Sequence, residues 1–291
     1  EKPDVVLTYT VKPNIYGGLA ANREGVPFIA NITGLGTALS SSGMLQTVIS
    51  VLYRRVLKKA SCTFFQNSGD LAFFKEKSIM PLQHRMIPGS GVNLEHFGLL
   101  EYPNEDITRF VFISRIMKEK GIDLFLEAAS RMKAVNDSVE FHVCGRCEEQ
   151  RYETILSEFQ NKGIVNYHGP VRDVRTILRT THCTVHPTYY PEGMSNVLLE
   201  SAASGRPVIT TDRHGCKEVV EDGITGLLVR MRDTEDLVEK MERFLLLNND
   251  ERRKMGLAAR VKVEKEFDRE IVINAYLEEI ERIKFSKSSL K

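Results

Sequence analysis

From about residue 108 onward, short β-branched apolar runs alternate with stretches whose apolar residues recur at helical spacing. The runs Arg109–Ile113, Val139–Cys144, Ile164–Tyr167, Cys183–Pro187, Val208–Thr211 and Gly226–Val229 predict strands. Helices are predicted between them at Gly121–Ala134, Glu149–Asn161, Val174–Thr180, Asn196–Ser204 and Cys216–Glu221. Strand, helix, strand in this rhythm predicts an α/β fold, a parallel sheet covered on both faces. Ligands of such sheets sit at the carboxyl ends of the strands. The loops after Ile113, Cys144, Tyr167, Pro187 and Thr211 are therefore the places to look for chemistry.

The first part of the chain repeats the theme more sparsely. Strands are predicted at Val5–Tyr9, Pro27–Asn31, Cys62–Gln66 and Arg85–Ile87, and helices at Ile15–Arg23, Met44–Ala60 and Ser68–Lys75. That is about half of a doubly wound domain. The stretch Pro88–Asn93 has the composition of a linker. Charged amphipathic helices follow at Thr234–Leu247, Asp250–Phe267 and Asp268–Phe285. The predicted organisation is a partial amino-terminal domain over 1–93, a second domain over 94–267, and a carboxy-terminal helix over 268–291 that packs back on the first. The chain opens Glu1-Lys2-Pro3-Asp4, without Met, and enters a strand almost at once. Upstream residues are accordingly expected to be missing, with an apolar sheet edge left open.

Composition narrows the class. Of 291 residues, 42% are apolar and 27% charged, as in an ordinary globular protein long enough for two domains. A net charge of +1 argues against a dedicated nucleic-acid binder. Residues 1–100 nevertheless hold ten Lys and Arg against six Asp and Glu, which suits an anionic surface or substrate. Five scattered cysteines without framework spacing point to a reducing compartment, hence the cytoplasm. Cys144 and Cys147 form a lone C-x-x-C without a second pair to complete a zinc set. No apolar run has membrane-spanning length. The segment Met44–Lys59 has apolar residues at helical spacing and a basic end. It fits a helix with a core-facing stripe, or one lying on an anionic membrane, peripheral to its inner face.

Two features fit the stabilisation of a departing diphosphate. No Asp-x-Asp, the usual holder of a divalent metal in sugar–phosphate chemistry, occurs in the sequence, so no metal or cofactor is expected. Arg115 stands just past a predicted strand and Lys120 just before a Gly-started helix; a guanidinium fork and an ammonium so placed can grip a diphosphate. Spacing alone fits two ordinary surface cations as well, and both are expected to face solvent. The segment His186–Glu200 leaves a strand, crosses a loop bounded by Pro187 and Pro191, and starts a helix near Asn196. Backbone amides of Gly193, Met194, Ser195 and Asn196 at that helix end suit phosphate and sugar oxygens. Glu192 lies in the loop and Glu200 two turns into the helix; a capping carboxylate and a surface charge fit them equally. The histidines, including His182, His186 and His214, earn no assignment.

Arg-x4-Lys-Gly after a strand, Glu-x7-Glu entering a helix, Gly205-Arg206-Pro207-Val208, and Glu218 before Asp222-Gly223-Ile224-Thr225-Gly226 together resemble the family 4 retaining glycosyltransferases of GT-B fold. Ile87–Asn93 and Phe97 resemble that family's interdomain segment, so the likeness runs from about residue 85 to 230. It implies two Rossmann-like parallel-sheet domains facing across a cleft, the first incomplete here. It also implies metal-independent transfer with retention, hexosyl or N-acetylhexosaminyl, from a nucleotide-diphosphate sugar, a UDP sugar in the first place. Arg115 and Lys120 would hold the diphosphate, Glu192 the hydroxyls of the moving sugar, and Glu200 the ribose. Gly193 to Asn196 would face the sugar and phosphates, and Gly145, Val171 and Arg172 would lie near the base. Tyr9–Gly17 and Asn31–Gly36 resemble the branch that builds bacterial surface polysaccharides on glycan or polyprenyl-diphosphate-linked acceptors. Tyr9, Lys12, Asn14 and Gly34 become acceptor-side candidates. Many relatives carry a His in the loop after the first strand, where this sequence offers Tyr9 and Lys12. The alternatives are a sugar-nucleotide epimerase of the same architecture and a nucleotide-sugar-binding fragment without catalysis. A dinucleotide oxidoreductase is disfavoured, because no Gly-x-Gly-x-x-Gly follows a strand.

Overall fold

The computed structural model describes residues 3–36, 39 and 43–288, with residues 287 and 288 described in backbone alone. The chain divides into two compact units, each an α/β unit built on a parallel sheet. The first comprises Glu1–Gly91, Pro191–Ser195 and Phe267–Lys291; the second comprises Val92–Tyr190 and Asn196–Glu266.

In the first unit, β1 (Val6–Tyr9), β2 (Phe28–Ile32), β3 (Cys62–Phe65) and β4 (His84–Met86) pair in sequence order. A π-turn over Pro13–Gly17 leads into α1 (Gly18–Arg23), and α2 (Met44–Leu57) and α3 (Ser68–Glu76) follow. Successive strand side chains alternate faces. Phe28, Ala30, Ile32 and Phe65 pack with Tyr53, Val56, Leu57 and Phe74 of the helices. Ile29, Cys62 and Phe64 pack instead with Val272, Ala275 and Ile283 of the carboxy-terminal helix Arg269–Ser288. Burial on both faces is why β2 and β3 are largely apolar, Asn31 and Thr63 excepted. Polar contacts add to the hold on that helix: Arg85 pairs with Glu278 and Glu279, and Arg282 donates to the Ser61 carbonyl.

The second unit contains β5 (Thr108–Ile113), α4 (Ile122–Lys133), β6 (Val139–Cys144), α5 (Arg151–Asn161), β7 (Asn166–Tyr167), α6 (Arg175–Leu178), β8 (Cys183–His186), α7 (Asn196–Ala203), β9 (Val208–Thr211), β10 (Gly226–Val229), α8 (Thr234–Leu246) and α9 (Asn249–Glu266). Its six strands run parallel in the order β10-β9-β8-β5-β6-β7. The order reverses between β5 and β8. In doubly wound sheets that reversal opens a crevice at the strand carboxyl ends. Phe110, Phe112, Phe125, Phe141 and Phe244 fill one side of the sheet, while Val111, Ile113, Cys144 and Leu178 belong to a second cluster.

One local difference from the sequence-based expectation has a clear cause. The helix expected at Cys216–Glu221 is a single 3-10 turn, Lys217–Val219. Glu218 spends its carboxylate backwards, on His214 Nδ1 and on the Gly215 amide, each near 2.9 Å. The chain then turns at Asp222–Gly223 to enter β10, which leaves no length for a second turn of helix. Arg206 is fully buried without a carboxylate partner among the described residues. Its guanidinium donates instead to the carbonyls of Leu178 at 2.7 Å and Glu101 at 2.6 Å, with longer contacts to Leu100, Ser204 and Arg179. It thereby satisfies carbonyls at the ends of α6 and α7 and fixes the segment at Leu100–Glu101.

Candidate functional site

In the second unit the loops that follow β5 and β8 meet at the switch point. After β5, Ser114 and Ile116 donate to the carbonyls of Cys144 and Arg146, so this loop runs beside the loop after β6. Lys118–Lys120 forms a 3-10 turn ended by Gly121 in a left-handed conformation, φ 82°. A side chain there would also meet the Pro187 carbonyl oxygen, 2.2 Å from where a Cβ would stand. Only glycine lets the two loops approach this closely. The Glu119 carbonyl accepts from the Tyr189 amide at 2.9 Å and from Thr188 Oγ1 at 3.2 Å.

This arrangement brings both predicted cations to one aromatic ring. Arg115 Cζ lies 5.7 Å and Lys120 Nζ 5.0 Å from the ring centroid of Tyr190. Arg115 is exposed. Lys120 is not the solvent-facing residue that the sequence suggested: it is only 8% exposed, its stem buried as the turn closes on the 187–190 loop.

The other second-unit candidates gather around the same strand ends. The Gly145 amide donates to Gly169 at 2.8 Å, and its carbonyl accepts from Tyr167 Oη at 2.9 Å. Val171 packs in the apolar cluster that also takes Val197, in the first turn of α7. Arg172 and Asn196 are exposed. Glu200 is half-buried on α7, and its carboxylate has no hydrogen bond or ion pair among the described residues. Burial pushes it up to about 7.

The Glu192 segment packs with the first unit. The Gly193 amide donates to the Thr33 carbonyl at 3.1 Å, so of the four amides expected to face ligand this one is already committed. Asn67 Nδ2 donates to the Gly193 carbonyl at 2.7 Å and reaches that of Glu192 at 3.3 Å. Gly34, φ 117°, lies so close that an added Cβ would stand 2.6 Å from the Gly193 nitrogen. One acceptor-side candidate is thus in direct contact with the Glu192 segment. Met194 and Ser195 are buried and Glu192 is half-buried.

The remaining acceptor-side candidates lie around the ends of β1 and β2. Tyr9 is exposed, its ring 6.1 Å from that of Tyr276. Tyr276 Oη accepts from Asn31 Nδ2 at 2.6 Å, and Asn31 Oδ1 accepts from Gln66 at 3.3 Å. Thr10 holds φ 66°, a conformation that residues other than glycine rarely adopt. Lys12 is exposed. Asn14 is fully buried, and its amide donates to the Asn31 carbonyl at 2.8 Å, a scaffold contact.

Tyr190, Asn67, Gln66 and Tyr276 were not singled out from the sequence. Asn67 left one legible trace: an Asn directly before Ser68 fits a helix cap, and its Oδ1 does accept from the Asp70 amide at 2.8 Å. Among the histidines, His182 is buried and held near 4 by burial; its Nδ1 accepts from the Arg109 amide, a neutral structural role. Both cysteines of the C-x-x-C are free, Cys144 buried and Cys147 beside Tyr167 Oη at 3.6 Å.

The sequence pattern of the family described as glycosyl transferases group 1 matches residues 107–246, which span both loops at the switch point and Glu200. Over these residues the chain is similar to that family. The chain is 27% identical over 298 residues to the N,N'-diacetylbacillosaminyl-diphospho-undecaprenol alpha-1,3-N-acetylgalactosaminyltransferase of Campylobacter jejuni, covering 96% of this chain and 77% of that protein. It is 26% identical over 266 residues to the UDP-Gal:alpha-D-GlcNAc-diphosphoundecaprenol alpha-1,3-galactosyltransferase of Escherichia coli, covering 84% of this chain and 66% of that one. Matches to colanic-acid and capsule glycosyltransferases span less than half of those proteins. Sucrose-phosphate synthase from Thermosynechococcus elongatus shares the fold, with a TM-score of 0.82 over 98% of this chain and 74% of that one, at 21% identity.

Proposed function

We propose that this chain carries out metal-independent transfer, with retention, of a hexosyl or N-acetylhexosaminyl group from a UDP sugar to a polyprenyl-diphosphate-linked glycan. The convergence of Arg115 and Lys120 on Tyr190 at the switch point supports it most. Two fixed cations at the carboxyl end of a parallel sheet suit a leaving diphosphate, whose charge grows as the sugar–oxygen bond breaks. The Campylobacter jejuni and Escherichia coli relatives detailed above are named as transferases acting on diphospho-undecaprenol-linked sugars, which favours transfer over the epimerase alternative.

In this reading Glu192 accepts hydrogen bonds from hydroxyls of the moving sugar, and the amides of Met194 to Asn196 face sugar and phosphate oxygens. Glu200 receives the ribose hydroxyls, and Gly145, Val171 and Arg172 line the base. Tyr9, Lys12 and Gly34 serve the acceptor. The bond from the anomeric carbon to the diphosphate breaks while the acceptor hydroxyl bonds to the same face. The departing phosphate oxygen takes the hydroxyl proton, so no separate protein base is required.

The acceptor's lipid directs attention to α2. Met44, Leu45, Val48 and Val51 are exposed along it, Met44 by 84%. Arg55, Lys58 and Lys59 are exposed at its end. An apolar stripe with a basic end suits peripheral contact with an anionic membrane at the cytoplasmic face. Among the described residues, no helix is long and apolar enough to cross a membrane.

The deciding experiment supplies UDP sugars with and without a polyprenyl-diphosphate-linked glycan, in the presence of a chelator. Release of UDP only with acceptor, and an α-linked product by NMR, is the expected result. Conversion of donor without acceptor would indicate the epimerase, and tight UDP binding without turnover a binding module.

A further inference from the structure

We infer that Tyr276, on the carboxy-terminal helix, is a positioning residue whose hydroxyl sets that of Tyr9 as an outward hydrogen-bond donor to an oxygen of the acceptor sugar; this rests on the acceptor role given to Tyr9 above. Both residues belong to the first unit. Gln66 donates to Asn31 Oδ1 at 3.3 Å, which leaves the Asn31 amide nitrogen facing Tyr276. An amide N–H can only donate, so the Tyr276 oxygen, 2.6 Å away, is the acceptor there. Its own proton has to go elsewhere, and the Tyr9 hydroxyl receives it. Burial first, and that bond after it, push the Tyr276 hydroxyl well above the ordinary range of a phenol, so the proton stays in place. Tyr9 makes no other hydrogen bond among the described residues, and it is 42% exposed. Its O–H is therefore left to a ligand.

The pair is held from several sides. The ring of Phe64 on β3 lies 4.6 Å from that of Tyr276, and the ring of Tyr9 lies 6.1 Å away on its other neighbour's side of the strand ends. Val272 and Ala275, in the preceding turn of the helix, pack with Ile29, Cys62 and Phe64 and so seat Tyr276 against the sheet. Directly after Tyr9, the β-branched Thr10 holds φ 66°, a strained conformation of the kind that gathers at ligand sites. At the far end, Gln66 Oε1 occupies the space that a side chain at Gly193 would need, beside the Glu192 segment. Every donor from Gln66 through Asn31 and Tyr276 points the same way, and each donation strengthens the next O–H as a donor. A chain that ends in a donor suits a hydroxyl or acetamido oxygen of a sugar.

The test measures transfer from a UDP sugar to a polyprenyl-diphosphate-linked glycan by the full chain, varying donor and acceptor in turn. Tyr9→Phe should raise the acceptor KM by about tenfold, the scale of one hydrogen bond. Tyr276→Phe keeps the ring against Phe64 and should raise the acceptor KM by about three- to tenfold, with donor KM and kcat within about twofold of the parent. Tyr276→Met serves instead should the phenylalanine variant misfold. The double variant Tyr9→Phe with Tyr276→Phe should be no worse than Tyr9→Phe, because Tyr276 acts only through Tyr9. Three results overturn the inference: an acceptor KM unchanged in either single variant, donor and acceptor KM raised alike, or losses that add in the double variant. The parent separates the two levels. If it transfers sugar and the variants give any of these results, only the pairing of the tyrosines fails; if it moves no sugar to this acceptor, the transferase reading falls and the pair's role with it.

Discussion

Glu200 is a carboxylate that folding leaves half-buried and without a hydrogen-bond or ion-pair partner among the described residues, and its raised position near 7 follows from lost hydration. The native state keeps its proton where the unfolded chain has released it, so this group's contribution to stability declines as pH rises from about 4.5 through about 7. Glu200→Gln should therefore melt increasingly above the parent between about pH 5 and pH 8 in thermal scans. On the role proposed for Glu200, ribose hydroxyls donate to its ionised form, so UDP affinity in the parent should rise over the same interval and flatten in Glu200→Gln, as read by calorimetry. Arg115→Ala and Lys120→Ala should each lower turnover by about 10²–10³-fold, the scale of removing one preorganised donor. Lys120→Ala should also cost stability, because its stem is buried. At this scale the sequence was legible where a charge stood at a strand end, as with Arg115, and mute where a role depends on what a loop folds against. Nothing in one dimension distinguishes Tyr190 from a spacer, or shows that Asn14 points inward.

Elements were far more legible than their interactions. Strands covered on both faces are mostly apolar, so β2, β3, β5 and β8 stand out as short β-rich runs even with Asn31, Thr63, Thr184 and His186 buried among them, and short parallel strands leave room for helices between them. What failed was the helix after Gly215, where one carboxylate, Glu218, draws the chain back on itself. Arg206 shows the same limit: a charged residue in a Gly-Arg-Pro run resembles a surface loop, yet it is the fastener of two helix ends. Replacing it by leucine strands several carbonyls, and unfolding in urea should show a loss of about 2–4 kcal/mol. Arg206→Lys should recover only part, because an ammonium lacks the planar fork that spans these acceptors.

At the scale of the whole molecule, the apolar and basic face of α2 is the feature whose role depends on surroundings. Arg54 is committed to the carbonyls of Lys77 and Ser78, so Arg55 and Lys59, one turn apart, are the better probes. Arg55→Ser combined with Lys59→Ser should weaken sedimentation with phosphatidylglycerol-containing vesicles by about tenfold or more, at roughly 1 kcal/mol per charge. Transfer to a detergent-dispersed acceptor should be little affected.

The assignment of Pro191–Ser195 to the first unit, between stretches that belong to the second, has a consequence for recombination. A chimera that exchanges residues 92–266 with a relative carries a foreign Glu192 segment onto a resident bed of Thr33, Gly34 and Asn67. Any bulk opposite Gly34, or a lost amide at Asn67, then shifts the Glu192 segment, and with it the sugar contact proposed above. Donor specificity in such hybrids should follow the swapped half only when those three bed residues travel with it.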